Sequence, residues 1–207
     1  MSVEGIIKEL IYVGRSAREQ GLTLASSGNL SARLPGEERF IVTASGTWLD
    51  RLEHNDFVEM TLRGDALTTG TQPTSEWKLH ERTYMERPDV NAVIHLHPQY
   101  TIILDALEIP IRLITMDHAL YVRSIGHVDY LPSGSDELAA AAGAASREHN
   151  CVILAFHGCS AIGDTIEMAY RRALNLEQAA QATYRTHLLG NDDLAFAADH
   201  LARLSHA

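Results

Sequence analysis

Two short apolar runs in this chain each end in histidine, and that restricts the fold more than any other feature. Ala92-Val93-Ile94 leads into His95-Leu96-His97, and Cys151-Val152-Ile153-Leu154-Ala155-Phe156 leads into His157-Gly158. Side chains alternate across a strand, so His95 and His97 project from one face of the first run. To hold a metal, that pair needs at least one further ligand, and His157 is the candidate. Three histidines with a fourth position open describe a catalytic zinc site rather than a structural one. In a chain with eleven histidines, the pair alone fits packing and hydrogen bonding as well as metal binding. Glu76, in Pro73-Thr74-Ser75-Glu76-Trp77 ahead of a helical stretch, offers a carboxylate as fourth ligand or as proton carrier. The same glutamate also suits the first turn of a helix capped by Ser or Thr.

Bulk properties exclude several partners. A formal charge of -10 and a pI near 5.5 argue against nucleic acid and against an anionic membrane surface, both of which call for a basic patch. If the substrate is anionic, local donors must overcome the mean field. The 207 residues fit one domain over 1–207, with a mobile C-terminal tail expected from about 191. Cys151 and Cys159 lack CxxC spacing and read as buried, reduced thiols. No signal segment or membrane-length apolar run appears, so a cytoplasmic location is expected.

Along the chain, apolar residues at Ile6, Ile7, Leu10, Val13 and Ala17 form a helical face ended by Gly21. Short strands are expected at Leu30 to Leu34, Phe40 to Thr43 and Phe57 to Leu62, with turns at Pro35-Gly36 and Arg63-Gly64-Asp65. Thr74 or Ser75 caps a helix running to about Arg87, and Pro88 stops it. The strand with His95 and His97 follows, then a helix near Tyr100 to Leu107. Ile109 to Met116 and the stretch around Val128 to Leu131 read as further strands. Ser135 caps an alanine-rich helix to about Glu148. Asp164 and Glu167 suggest a capping box for a long helix from Thr165 to about Leu188, and a final helix is expected from Leu194 to Leu204. Hairpin turns among interspersed helices predict an α/β fold, a mixed sheet covered by helices on both faces.

Five ordered motifs carry a resemblance: Ser27-Gly28-Asn29-Leu30-Ser31, Thr43-Ala44-Ser45-Gly46, Thr74-Ser75-Glu76, His95-Leu96-His97-Pro98 and His157-Gly158. Over about residues 5 to 190 the chain resembles the class II aldolase/adducin family. The resemblance implies a three-layer α/β/α fold with a mostly antiparallel central sheet, and a homotetramer with active sites at subunit boundaries. It implies a zinc-dependent lyase that cleaves a ketose 1-phosphate, such as L-fuculose 1-phosphate, to dihydroxyacetone phosphate and an aldehyde. His95, His97 and His157 match the zinc ligands, with manganese, cobalt or iron as substitutes. Glu76 matches the acid/base that also ligates the metal at rest. Gly28 and Asn29 match the loop at the phosphate and enolate, and Ser45, Gly46, Thr74 and Ser75 match the phosphate-binding group. Hydroxyls and glycine-exposed N–H groups at a helix start bind phosphate without a lysine, which suits so acidic a chain.

The chain also departs from the family. Tyrosines that serve a neighbouring active site in an aldolase of the family have no counterpart here: one position falls near Ile114, and 191–207 contains none. His118 and Tyr121 are the remaining candidates to protonate the aldehyde oxygen. A sister epimerase activity needs an aspartate where Leu120 stands, and leucine shuttles no proton. The alternative activity is a metal-dependent decarboxylase of a 3-oxo sugar acid phosphate, with Arg112 or Arg123 as candidate holders of the extra carboxylate.

Overall fold

A computed structural model describes residues 2–34, 36–197 and 200. Helix α1 (Val3–Glu19) starts where the Ser2 hydroxyl accepts from Gly5 N–H, and its buried face is Ile6, Ile7, Leu10, Val13 and Ala17. Strands β1 (Asn29–Arg33), β2 (Arg39–Thr43) and β3 (Phe57–Thr61) follow, then α2 (Trp77–Glu86), β4 (Ala92–Leu96) and α3 (Gln99–Ala106). The second half is β5 (Ile125–Val128), α4 (Asp136–Ser146), β6 (Cys151–Leu154), β7 (Gly158–Gly163) and α5 (Ile166–Leu188).

The seven strands form one sheet in the order β3-β2-β1-β4-β7-β6-β5. Every neighbouring pair is antiparallel except β5 with β6. The sheet is therefore mixed and mostly antiparallel, the middle layer of an α/β/α sandwich. One face packs Leu30, Ala32, Ile94, Leu96, Cys159 and Ala161 against α1 and α5. The other packs Val42, Val58, Val93 and Ile162 with Tyr84 of α2, and Val152 and Leu154 with Leu138 of α4. Both thiols are free and buried.

Several local expectations are corrected. Ile109 to Met116 forms no strand. Pro110 supplies no N–H, and the segment bonds to α5 instead, Arg112 N–H donating to Thr183 Oγ1 at 2.9 Å. The Arg112 guanidinium also donates to Thr186 Oγ1 (2.7 Å) and to the Asn191 carbonyl (3.0 Å), which commits it to bracing the chain. Strand β7 was not foreseen, because Gly158, Cys159, Ser160 and Gly163 carry little strand propensity. It exists because its neighbours bury it on both faces. The strand expected around Val128 to Leu131 lies at Ile125–Val128. The α5 cap is Thr165, whose hydroxyl accepts from Met168 N–H, in place of an Asp164 capping box. Glu76 takes the cap position of α2 without a side-chain cap bond. Residues 194–197 are not helical; of the rest of the helix expected there, His200 alone is described. Pro35, half of the expected first turn, also lies outside the described residues.

Candidate metal centre

Four side chains converge where β4 ends. Glu76 precedes α2, His95 lies within β4, His97 follows it, and His157 stands in the turn between β6 and β7. Their ligand atoms all lie within 4.8 Å of one another. His97 Nε2 is 3.0 Å from His95 Nε2. Glu76 Oε2 is 3.1 Å from His95 Nε2, and Oε1 is 3.4 Å from His157 Nε2. The three rings stand edge to face, with centroids 4.8 to 4.9 Å apart.

Two glycines make this approach available. A Cβ at Gly158 would lie 2.3 Å from the Leu96 carbonyl oxygen and 2.9 Å from the His97 ring. A Cβ at Gly28, whose φ is +82°, would lie 2.8 Å from the His95 carbonyl oxygen. Only glycine lets these turns close against the ligand strand.

The donor set fits a divalent metal. His95 Nδ1–H donates to the Cys159 carbonyl at 3.0 Å, which turns Nε2 toward the cluster. Burial and the neighbouring His95 hold the His97 and His157 imidazoles neutral, down to about 3 and about 4. Burial opposes ionisation of Glu76, but His95, His157 and the Asn29 amide outweigh it and hold the carboxyl well below the usual range. Neutral imidazoles and an ionised carboxylate are the protonation states a metal requires. Three nitrogens and one oxygen suit zinc and its first-row neighbours.

Behind the cluster runs a chain of buried polar groups. Asn29 Nδ2 donates to Glu76 Oε2 at 2.8 Å, and Asn29 Oδ1 lies 2.5 Å from His80 Nε2. Ser31 Oγ lies 2.6 Å from His80 Nδ1 and 2.7 Å from the Tyr84 hydroxyl. In front, the Ser133 hydroxyl donates to Glu76 Oε1 at 2.9 Å. Sequence reasoning missed His80 and Ser133. The four-residue spacing of Glu76 and His80 on one helix face was a usable signal for the first. Ser133 had none, since its contact depends on the course of the loop before α4.

The other expected substrate residues lie on two segments, one of which leads into Glu76. Ala44 bridges Pro73, Ser45 N–H donates to the Gln72 carbonyl, and Thr74 N–H donates to that of Thr43. This antiparallel contact sets Ser45 beside Gln72 and Thr43 beside Thr74, so the two segments that carry the expected phosphate residues lie against each other. The N–H groups of Gly46 and Ser75 meet no acceptor among the described residues. His118 and Tyr121 are not part of the metal cluster. His118 Nδ1 accepts from the N–H groups of Ile114 and Thr115, and the Tyr121 hydroxyl accepts from Arg171 at 3.1 Å.

Fold and cluster together define a class, the metal-dependent lyases of aldolase type. The model of the Class II Aldolase and Adducin N-terminal domain matches residues 8–184, and the chain belongs to that family. It is 32% identical over 176 residues to L-fuculose phosphate aldolase of Methanocaldococcus jannaschii, covering 85% of this chain and 94% of the relative. It is 31% identical over 199 residues to the 5-methylthioribulose-1-phosphate/5-deoxyribulose-1-phosphate aldolase of Rhodospirillum rubrum, covering 94% and 87%. The 3-oxo-tetronate 4-phosphate decarboxylase of Haemophilus influenzae is 31% identical over 180 residues, covering 84% and 85%. A solved L-fuculose 1-phosphate aldolase superposes with a TM-score of 0.90 at 26% identity, covering 100% of this chain and 97% of that one. Among the described residues no helix is long and apolar enough to cross a membrane.

Proposed function

We propose that the protein is a zinc-dependent class II aldolase that cleaves a ketose 1-phosphate, L-fuculose 1-phosphate or a close analogue, to dihydroxyacetone phosphate and an aldehyde. The observation that carries this reading is Glu76, whose carboxylate joins the three-histidine cluster and accepts from Asn29 while its N–H donates to the Thr74 hydroxyl. A divalent cation held by His95, His97, His157 and, at rest, Glu76 supplies Lewis-acid stabilisation of the negative charge that develops as the carbon–carbon bond beside the ketone breaks.

The protein's own groups do the rest. Glu76 Oε2 accepts from the Asn29 amide, which has no lone pair to take a proton in return. Oε1 is therefore the oxygen that carries the proton to and from the substrate carbon, with the Ser133 hydroxyl beside it. The hydroxyls of Ser45, Thr74 and Ser75 and the unpaired N–H groups of Gly46 and Ser75 bind the phosphate at the start of α2. Gly28 and Asn29 line the enolate region. This reading includes a homotetramer in the cytoplasm.

The Haemophilus relative favours a second reading, decarboxylation of a 3-oxo sugar acid phosphate, because loss of carbon dioxide leaves a similar enolate. Arg112 is committed to bracing α5, so exposed Arg123 is the remaining candidate to hold the carboxylate. Zinc-loaded protein assayed on a panel of ketose 1-phosphates should release dihydroxyacetone phosphate. Carbon dioxide from 3-oxo acid phosphates with no triose phosphate from the panel would select the second reading.

A further inference from the structure

Four groups on the α2 side of the sheet are removed from solvent, and three of them, His80, Ser31 and Tyr84, stand behind the residues assigned to the metal and the substrate. His80, Ser31 and Tyr84 are 0%, 0% and 1% exposed, and Asn29 in front of them is 4% exposed. Buried polar groups persist where every donor finds an acceptor. Here that condition fixes the direction of each bond. The Glu76 carboxylate accepts only, so the Asn29 amide presents Nδ2–H to it and Oδ1 backwards. Oδ1 in turn needs a donor, and the group 2.5 Å away is His80 Nε2. Neutral imidazole carries one proton, so Nδ1 must accept, and Ser31 Oγ–H at 2.6 Å is its donor. The Ser31 oxygen then accepts from the Tyr84 hydroxyl at 2.7 Å.

We propose that His80 is a positioning residue. As the Nε2–H tautomer it locks the Asn29 side-chain amide with its NH2 toward Glu76, and so sets the carboxylate that completes the metal site. Ser31 holds that tautomer from behind, and Tyr84 anchors Ser31. Burial agrees with each assignment: it holds the His80 imidazole neutral, down to about 3, and pushes the Tyr84 hydroxyl well above its usual range, so it stays a donor. Without the His80 proton, Asn29 Oδ1 is left buried with no donor, and the carboxylate alone holds the amide in this direction. Turned round, it would set Oδ1 against a carboxylate oxygen.

The proposal rests on the metal-site half of the functional reading and is independent of the substrate. Its first test uses the unmodified protein. Long-range proton–nitrogen NMR on the zinc-loaded chain should show His80 with a protonated Nε2 and a bare Nδ1 throughout about pH 5 to 8. A proton on Nδ1, or an imidazolium, would mean the chain of bonds runs the other way and would overturn the proposal.

The second test compares variants by competition for zinc against a chromophoric chelator, with thermal unfolding measured in parallel. His80→Phe keeps the volume and removes the donor, and it should weaken zinc affinity about tenfold or more, in the range of lost ligand-orienting bonds. His80→Gln retains an N–H donor and a carbonyl acceptor and should recover affinity to within about threefold. Tyr84→Phe should lower the melting temperature while leaving zinc affinity within about threefold, because Ser31 still donates to Nδ1. A scaffold role alone would give the opposite pattern, with affinity tracking stability across all three and His80→Gln no better than His80→Phe. If His80→Phe fails to fold, His80→Gln against Tyr84→Phe and the NMR tautomer decide the matter. Zinc binding and tautomer as expected without any lyase activity would refute the functional reading and leave this one standing.

Discussion

Around the histidine cluster, the two faces of the central sheet are buried to similar depth by different chemistry. On strands β1, β4 and β7, the residues Leu30, Ala32, Ile94, Leu96, Cys159 and Ala161 point toward α1 and α5 and form the dry core. Their neighbours in the chain, Asn29, Ser31, His95 and Ser160, are 4%, 0%, 0% and 3% exposed, on the α2 side. Strand parity thus places His95 one residue from the core it leans on: Ile94 and His95 are adjacent and face opposite ways. Because the side-chain period is two, slipping the register by one residue would exchange the faces. The Asn29↔His95 and His95↔Ser160 pairings are therefore held firmly by the dry side, and the polar side inherits their precision. The dry face also holds a buried carboxylate. Glu177 of α5 accepts from the N–H groups of Tyr100 and Thr101, capping α3 just after His97.

The sharpest way to break this comparison is to remove one member of each face at neighbouring positions. His95→Ala should abolish bound zinc, read by elemental analysis, and reduce lyase turnover by about three orders of magnitude or more, since Lewis-acid stabilisation is worth several kcal/mol. Retained zinc with full turnover would sink the metal-site reading. Ile94→Ala, one residue away, should cost about 2–5 kcal/mol in urea denaturation and change the zinc affinity of the folded protein little. If Ile94→Ala costs zinc affinity as heavily as stability, the faces are not separable.

How much of this was legible in the sequence follows from the same division. The four residues of the cluster were legible because their side-chain types carry the chemistry themselves, and because His95 and His97 recur at the strand period. The strands β1 to β4 and the helices α1, α4 and α5 were legible in outline because each has a one-sided apolar face. Strand β7 was not, since a segment built of glycine, cysteine, serine and alanine is a strand only by virtue of the strands beside it. Ile109 to Met116 misled in the other direction. Its apolar residues pack on the core, but its backbone finds partners on α5 instead of in the sheet. Ser133 could not be read at all, because it reaches Glu76 through a loop whose path no local pattern encodes. His80 stands four residues after Glu76, but a lone histidine on a helix has many roles, and its part here depends on Asn29 of a distant strand.

The smallest expected effect sharpens the comparison through pH. Burial lowers the His80 pKa from 6.5 to about 3 in the folded chain, whereas the unfolded chain keeps its ordinary value. Between those values the unfolded state binds the extra proton, so stability rises with pH and is lost as pH falls below about 6.5. This single group contributes a slope of up to about 1.4 kcal/mol per pH unit. Zinc-free protein measured by urea denaturation across about pH 4.5 to 6.5 should show that slope with His97 and His157 adding to it, since burial depresses both. His80→Gln, which cannot titrate, should flatten the curve by the His80 share, while Ile94→Ala should shift the whole curve down by the same amount at every pH. An unchanged slope in His80→Gln would show that this imidazole is not held neutral by the fold, and that the polar face is wetter than its burial implies.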